Sequence, residues 1–297
     1  MELRVLQYFL AVAREQNISA AAESLHLSQP TLSTQLKAME EELGKQLLIR
    51  GTKGSRKVTL TEEGMILRKR AEEILQLVKK TEDEITLSDE TVAGNVFIGA
   101  GETDGVRYLI QAQHELQKKY PLICFHMQSG DRKDILESLD RGLSDFGLIL
   151  GEVDHTKYDS LKIPYRDTWG VLMRRDSPLA EKDWIEPEDL WDKPLILSRQ
   201  EYFQGILLPW LQKDWDQINK VATYSLLFNG SLMVEEGLGY ALCLDKIINT
   251  SGNSRLCFRP LYPKVEFGMY VIWKRYQVFS KAADQFLQQL QRSSEMI

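Results

Sequence analysis

Apolar residues in the first sixty positions recur in short helical stripes. Leu3, Leu6, Tyr8, Phe9, Leu10 and Val12 give a first helix with a broad apolar face. Asn17-Ile18-Ser19 interrupts it, and Ser19 is expected to cap a second, alanine-rich helix over 20–25. A third helix is expected after Ser28, with Pro30 tolerated in its first turn. In that helix Leu32, Leu36, Met39 and Leu43 are spaced 4, 3, 4, a narrow stripe that must face a core. Gly44 ends it. Two short strands, 46–50 and 57–60, then flank a Gly51-Thr52-Lys53-Gly54-Ser55 turn. From Thr61, a charged helix reaching Ser88 carries Leu67, Ala71, Ile74, Val78, Thr81 and Ile85 in a heptad seam, which predicts pairing with a second subunit.

After a polar hinge the period changes. Apolar strands over 95–100, 123–128 and 145–150 alternate with amphipathic helices over 103–119 and 133–141. This order predicts a parallel sheet with right-handed crossovers. A second set follows: strands 169–174, 195–198, 221–228 and 240–244, and helices 203–215 and 231–237. A last strand, 268–273, and helix, 280–292, are expected to return to the first set. Two α/β lobes joined by two crossings leave a cleft, and ligands in such folds sit at strand carboxyl ends and helix N-termini.

Charge changes the picture of the N-terminal segment. The 297-residue chain has a net charge of -6, yet residues 1–60 hold 8 Lys/Arg against 6 Asp/Glu. Arg50, Lys53, Arg56 and Lys57 cluster at the strand pair without an acid among them. Phosphate contact is local, so this patch suits a DNA backbone. The outward face of the third helix carries Pro30, Ser33, Thr34 and Lys37, with Gln29 on its flank. Hydroxyls and amides of this kind hydrogen-bond base edges in a major groove. A helix-turn-helix followed by a basic hairpin is a winged helix.

The remaining chemistry is sparse. Cys124, Cys243 and Cys257 are odd in number and scattered, which argues against a disulfide framework. Cys124 reads as a buried thiol in an apolar run, and a redox pair of Cys243 and Cys257 is the alternative use. The four histidines show no metal-ligand spacing. Ser/His/Asp or Cys/His constellations, a GxGxxG after a strand and a P-loop are not found, so the chain is not expected to be an enzyme. No membrane-spanning run or leader is visible, and a cytoplasmic, nucleoid-associated location is expected.

Phe9, Ala20-Ala21-Ala22, Leu25, Ser28-Gln29-Pro30-Thr31-Leu32-Ser33, Leu36, Glu40, Leu43-Gly44, Leu47, Arg50, Leu60-Thr61 and Gly64 closely resemble the N-terminal signature of LysR-type transcriptional regulators. Met39, Leu48 and Thr34 depart from it. Ile98-Gly99-Ala100, Tyr120-Pro121, the run 142–148, Ser177-Pro178-Leu179-Ala180 and the run 237–241 resemble landmarks of the co-inducer domain of that family, although two family prolines are replaced near Ile110 and Leu244. The resemblance implies a winged helix-turn-helix over 1–60 and a dimerisation helix over 61–88. It implies a periplasmic-binding-protein-like effector domain over 89–297, with lobe I near 94–161 and 267–297 and lobe II near 162–266. It implies double-stranded DNA as partner, with Gln29, Thr31 and Ser33 near bases, and homodimers or homotetramers. RNA polymerase is a further expected partner.

Ser28, Gln29, Pro30, Thr31, Ser33, Thr34, Lys37, Arg50, Lys53, Arg56 and Lys57 are therefore the expected DNA-binding residues. By position, Gly101, Glu102, Thr103, Ser129 and Gly130 from lobe I, and Ser198, Arg199, Gln200, Asn229 and Ser231 from lobe II, are expected to line the effector cleft. A small-molecule co-inducer and no other cofactor is expected. Arg199 could bind a carboxylate, and Glu102 would disfavour a strongly anionic ligand. An enzyme built on the two-lobed domain and an adaptor that does not bind DNA are the rival functions.

Overall fold

A computed structural model describes residues 1–51, 57–86 and 92–295. The chain forms two compact units, Met1–Thr86 and Leu87–Ile297.

The first unit opens with α1 (Leu3–Glu15), α2 (Ile18–Ser24) and α3 (Gln29–Leu43). Asn17, not Ser19, caps α2: its Oδ1 accepts the amides of Ser19 and Ala20 at 2.9 and 3.2 Å. An asparagine two positions earlier leaves Ser19 inside the first turn. Ser28 caps α3 as expected, accepting the Thr31 amide at 3.2 Å. Gly44 ends the helix at φ 63°, a left-handed conformation that glycine adopts at least cost. Phe9, Leu32 and Leu36 are fully buried, and Met39 nearly so, behind α3. Leu43 departs from this stripe. It is exposed, because the last turn runs past the edge of the core.

Strands β1 (Leu48–Arg50) and β2 (Val58–Leu60) pair antiparallel, Leu48 opposite Leu60. The hairpin tip, with Lys53 and Arg56, lies outside the described residues. Helix α4 (Glu62–Thr86) follows, Thr61 accepting the Gly64 amide at 3.0 Å. A Cβ on Gly64 would stand 2.2 Å from the Leu47 carbonyl oxygen, so only glycine fits where α4 crosses the hairpin. The heptad seam does not remain a free stripe. Ala71 is fully buried, and Leu67, Ile74 and Leu75 pack on the same core as Phe9. Met65, Ile66 and Ile85 are the large apolar residues that α4 leaves exposed.

The second unit has one continuous sheet with helices on its faces. Its elements are β3 (Gly94–Ala100), α5 (Val106–Lys119), β4 (Ile123–Ser129), α6 (Arg132–Asp140), β5 (Phe146–Leu150), β6 (Tyr158–Arg174), β7 (Leu195–Ser198), α7 (Glu201–Leu211), β8 (Lys220–Tyr224), α8 (Leu227–Glu235), β9 (Tyr240–Leu244), β10 (Leu256–Pro260), β11 (Glu266–Lys274) and α9 (Lys281–Glu295). The strand order is β4-β3-β5-β11-β6-β9-β7-β8, with β10 also on β6. Strands β3, β4 and β5 run parallel, as do β7, β8 and β9.

The two long strands make the crossings between lobes. The first half of β6 pairs with β11 beside β5; the second half pairs with β9 and β10. A register shift at Gly268/Met269 sits at the junction, opposite Pro164 and Tyr165. A proline cannot donate to a ladder, and a bulge accommodates it. The sequence places only 169–174 of β6 in a strand. Its first half alternates between buried and exposed positions around that proline and reads as a loop. The cores combine aliphatic residues of the strands with the apolar faces of α5, α7 and α9 that cover them.

Candidate nucleic-acid interface and ligand cleft

In the first unit the candidate interface is an exposed face of α3 and the hairpin beside it. Ser28, Gln29, Pro30, Thr31, Thr34 and Lys37 are exposed on α3, and Ser33 is half-buried. They stand outward because Leu32, Leu36 and Met39, on the opposite side, are held by α1 and α2. The Ser28 and Thr31 hydroxyls are 2.7 Å apart, so both share in capping the helix. Lys37 lies 3.6 Å from Glu41, an exposed pair of small energetic worth.

Glu40 links this helix to the hairpin. Its carboxylate accepts the Leu47 and Leu48 amides at 2.7 and 3.0 Å and lies 3.7 Å from Arg50. In the sequence Glu40 stands only as part of the family signature, and its spacing of seven and eight residues from these amides carries no local signal. Lys57 is exposed beside β2. The described residues thus bring α3, Arg50 and Lys57 onto a rigid support.

The second unit contains a cavity of about 50 Å³ between the lobes. It is lined by the carboxyl ends of β3 (Gly101, Glu102), β4 (Gly130), β7 (Ser198, Gln200) and β8 (Tyr224, Ser225, Leu226). Five of the ten residues expected at the cleft meet there. The other five do not line it. Thr103 is buried, its hydroxyl donating to the Asp167 carboxylate and accepting the Gly105 amide at 3.0 Å. Ser231 is buried and donates to the Phe228 carbonyl at 2.7 Å. Ser129 and Asn229 are exposed. Arg199 instead bonds Asp131 of the facing lobe at 2.9 Å.

The cavity wall itself was missed by sequence reasoning: Arg132, Ile135, Leu148, Trp169, Leu244 and Ile247 are among its members. Leu244 and Ile247 lie at the carboxyl end of β9, but the apolar members otherwise sit within strands or on α6 and look like ordinary core.

Among the described residues, side chains cross between the facing lobes at several points besides the Thr103–Asp167 bond. Arg199 meets Asp131, the residue that caps α6. Gln200 Oε1 accepts the Arg132 amide at 3.4 Å. Glu102 accepts the Leu227 amide at the start of α8. Burial by itself would raise the Asp131 carboxyl, but the Asp134 amide and the Arg199 guanidinium outweigh it and hold the group below the usual range. Near the crossing strand, burial pushes the Asp167 carboxyl up to about 6, against the Thr103 hydroxyl that favours its charged form; Asp104 adds to the rise.

The cysteines do not form a pair. Cys243 and Cys257 belong to core clusters on opposite faces of the sheet, and burial pushes both thiols up. Cys124, expected to be buried, is exposed on the edge strand β4, because Ile123 takes the core-facing position and the alternation of the strand turns the next side chain to the other face. Among the described residues there is no cluster of metal-ligating side chains, and no helix is long and apolar enough to cross a membrane.

A helix-turn-helix with a β-wing, followed by a two-lobed effector-type domain, defines a DNA-binding transcriptional regulator. Comparison with known proteins agrees. Residues 3–65 match the bacterial regulatory helix-turn-helix family of lysR type, and residues 89–295 match the LysR substrate binding domain. The chain belongs to the LysR family of transcriptional regulators.

Among relatives, the HTH-type transcriptional regulator BsdA of Bacillus subtilis is 36% identical over 69% of this chain and 70% of its own length. The DNA-binding transcriptional dual regulator OxyR of Escherichia coli K12 is 32% identical over 66% of this chain and 63% of its own. Among solved structures, full-length CbnR complexed with its target DNA superposes with a TM-score of 0.76 at 19% identity, covering 99% of this chain and 100% of that one. At that identity the likeness concerns the fold.

Proposed function

We propose that α3 reads the major groove of an operator while Arg50, Lys57 and the hairpin tip hold the flanking backbone. The supporting observation is the exposed hydroxyl and amide face of α3, backed by a fully buried apolar stripe. In that division Gln29, Thr31, Ser33 and Thr34 approach base edges, and Ser28, Pro30 and Lys37 border them. The basic residues of the hairpin, Lys53 and Arg56 included, contact phosphate. A small-molecule co-inducer, with no other cofactor, occupies the cavity between the lobes and alters the Arg199, Gln200 and Glu102 contacts across it.

Subunits associate through the helix that begins after Thr61. The exposed Met65 and Ile66 lie off the heptad seam, whose N-terminal half serves its own core, while the seam position Ile85 stays exposed at the other end; the contact face then combines these with the C-terminal end of the seam. Association places two reading helices on half-sites about one helical turn apart. Effector binding then changes the spacing of the heads, DNA bending and access of RNA polymerase. The protein acts in the cytoplasm and turns over no substrate.

Several relatives are named hydrogen peroxide-inducible genes activators. The separated, high-pKa thiols Cys243 and Cys257 favour a bound ligand over a thiol trigger here. Footprinting on the DNA upstream of its own gene, with and without pooled metabolites, tests the proposal. Protection of one or two half-sites that shifts with metabolite supports it. Absence of protection at low salt refutes it.

A further inference from the structure

The α8 helix, Leu227–Glu235, starts at the cavity without a cap of its own. Leu226 stands at the N-cap position and its side chain makes no capping bond, and the first turn has no acid. A helix N-terminus favours an anion, and its first amides need an acceptor. That acceptor comes from the opposite lobe: Glu102, following β3, takes the Leu227 amide. Both residues line the cavity.

We infer that Glu102 occupies the place a ligand carboxylate would take, so that the cleft selects a small molecule with an apolar body and an uncharged or cationic hydrogen-bond donor. This rests on the reading of the cavity as the effector site.

The rest of the lining fits that class. The cationic side chain there, Arg132, is turned to backbone, donating to the Leu150 carbonyl at 2.7 Å and to the Glu152 carbonyl. Ile135, Leu148, Trp169 and Leu244 supply the apolar wall. The cavity of about 50 Å³ holds the equivalent of about four waters, enough for a molecule of several non-hydrogen atoms. A carboxylate entering it meets the Glu102 charge and finds the Leu227 amide at the α8 terminus already taken. A donor entering it meets a carboxylate already fixed in position.

The test uses the full chain and a matched pair of probes, isobutyramide and isobutyrate, which share shape and differ in charge and donor capacity. Dissociation constants come from ligand-observed NMR titration. The wild type binds isobutyramide at least tenfold more tightly than isobutyrate. Glu102→Ala vacates the α8 terminus, and isobutyrate binding improves at least tenfold while the amide weakens. Glu102→Gln, which keeps length and an acceptor for Leu227, improves isobutyrate by about threefold and guards against a misfolded alanine variant. Equal binding of both probes to the wild type overturns the inference, as does an unchanged isobutyrate constant in both variants or silence of both probes throughout. Gly101→Leu, which narrows the cavity, separates the two levels. Binding that survives it lies elsewhere and overturns the cleft reading as well; binding that it abolishes while Glu102 variants change nothing overturns the role of Glu102 alone.

Discussion

The two candidate sites of this protein are built in opposite ways. The head is an exposed surface made by one continuous run of chain, in which Ser28 to Lys37 present polar groups because their neighbours three and four positions away are buried. The cleft is concave and made by ends of strands separated by more than a hundred residues, from Gly101 to Ile247. Local periodicity determines the first. Topology determines the second. A surface of the first kind tolerates changes that keep its support, whereas one of the second kind depends on how two lobes are held.

The largest expected effect breaks the support of the head. Phe9→Ala removes a fully buried ring and costs about 3–5 kcal/mol. Chemical denaturation should show an early transition for the head and an unchanged one for the regulatory unit. A common shift of both would contradict two independently cooperative units.

Next comes the junction of the lobes. Asp167 has its carboxyl raised to about 6 in the folded protein, against about 4 in an unfolded chain. A raised carboxyl stabilises the fold below about pH 4, and that contribution is lost as pH rises through 6. The regulatory unit should lose about 2–3 kcal/mol from this group between pH 4 and 8. Asp167→Asn should flatten the profile over that window, measured by denaturant midpoints at each pH. An Asn variant with the wild-type slope would place the titration elsewhere.

Smaller effects sharpen the contrast. Lys57→Ala should weaken binding to every DNA sequence alike and lower the salt slope by about 1. Affinity measured at four salt concentrations checks this; a loss confined to one operator would make Lys57 a base reader. The smallest expected effect is none: brief exposure to hydrogen peroxide should leave DNA affinity unchanged, in a gel-shift comparison, because Cys243 and Cys257 lie on opposite faces of the sheet.

The same contrast explains what was legible in the sequence. The head was readable almost residue by residue, since caps such as Ser28, stops such as Gly44 and the Leu32–Leu36 spacing act locally. Its misreadings were also local. Asn17 outcompeted Ser19 as a cap, and the seam through Ala71 was claimed by the core of its own unit. In the regulatory unit most of the element order was legible, although β10 went unread and the expected strand 221–228 ends at Tyr224 because α8 begins at Leu227, and half of the cleft was found from strand ends. The rest depended on the path of β6, hidden by Pro164, and on cross-lobe bonds. Nothing near Arg199 announces Asp131, and nothing near Glu102 announces Leu227.

The central claim is that α3 reads sequence. Selection from randomised duplex DNA, run in parallel with wild type and Ser33→Ala, tests it most directly. A changed base preference at one or two positions, symmetric about a dyad, is the result predicted. An identical site profile for both proteins would contradict it.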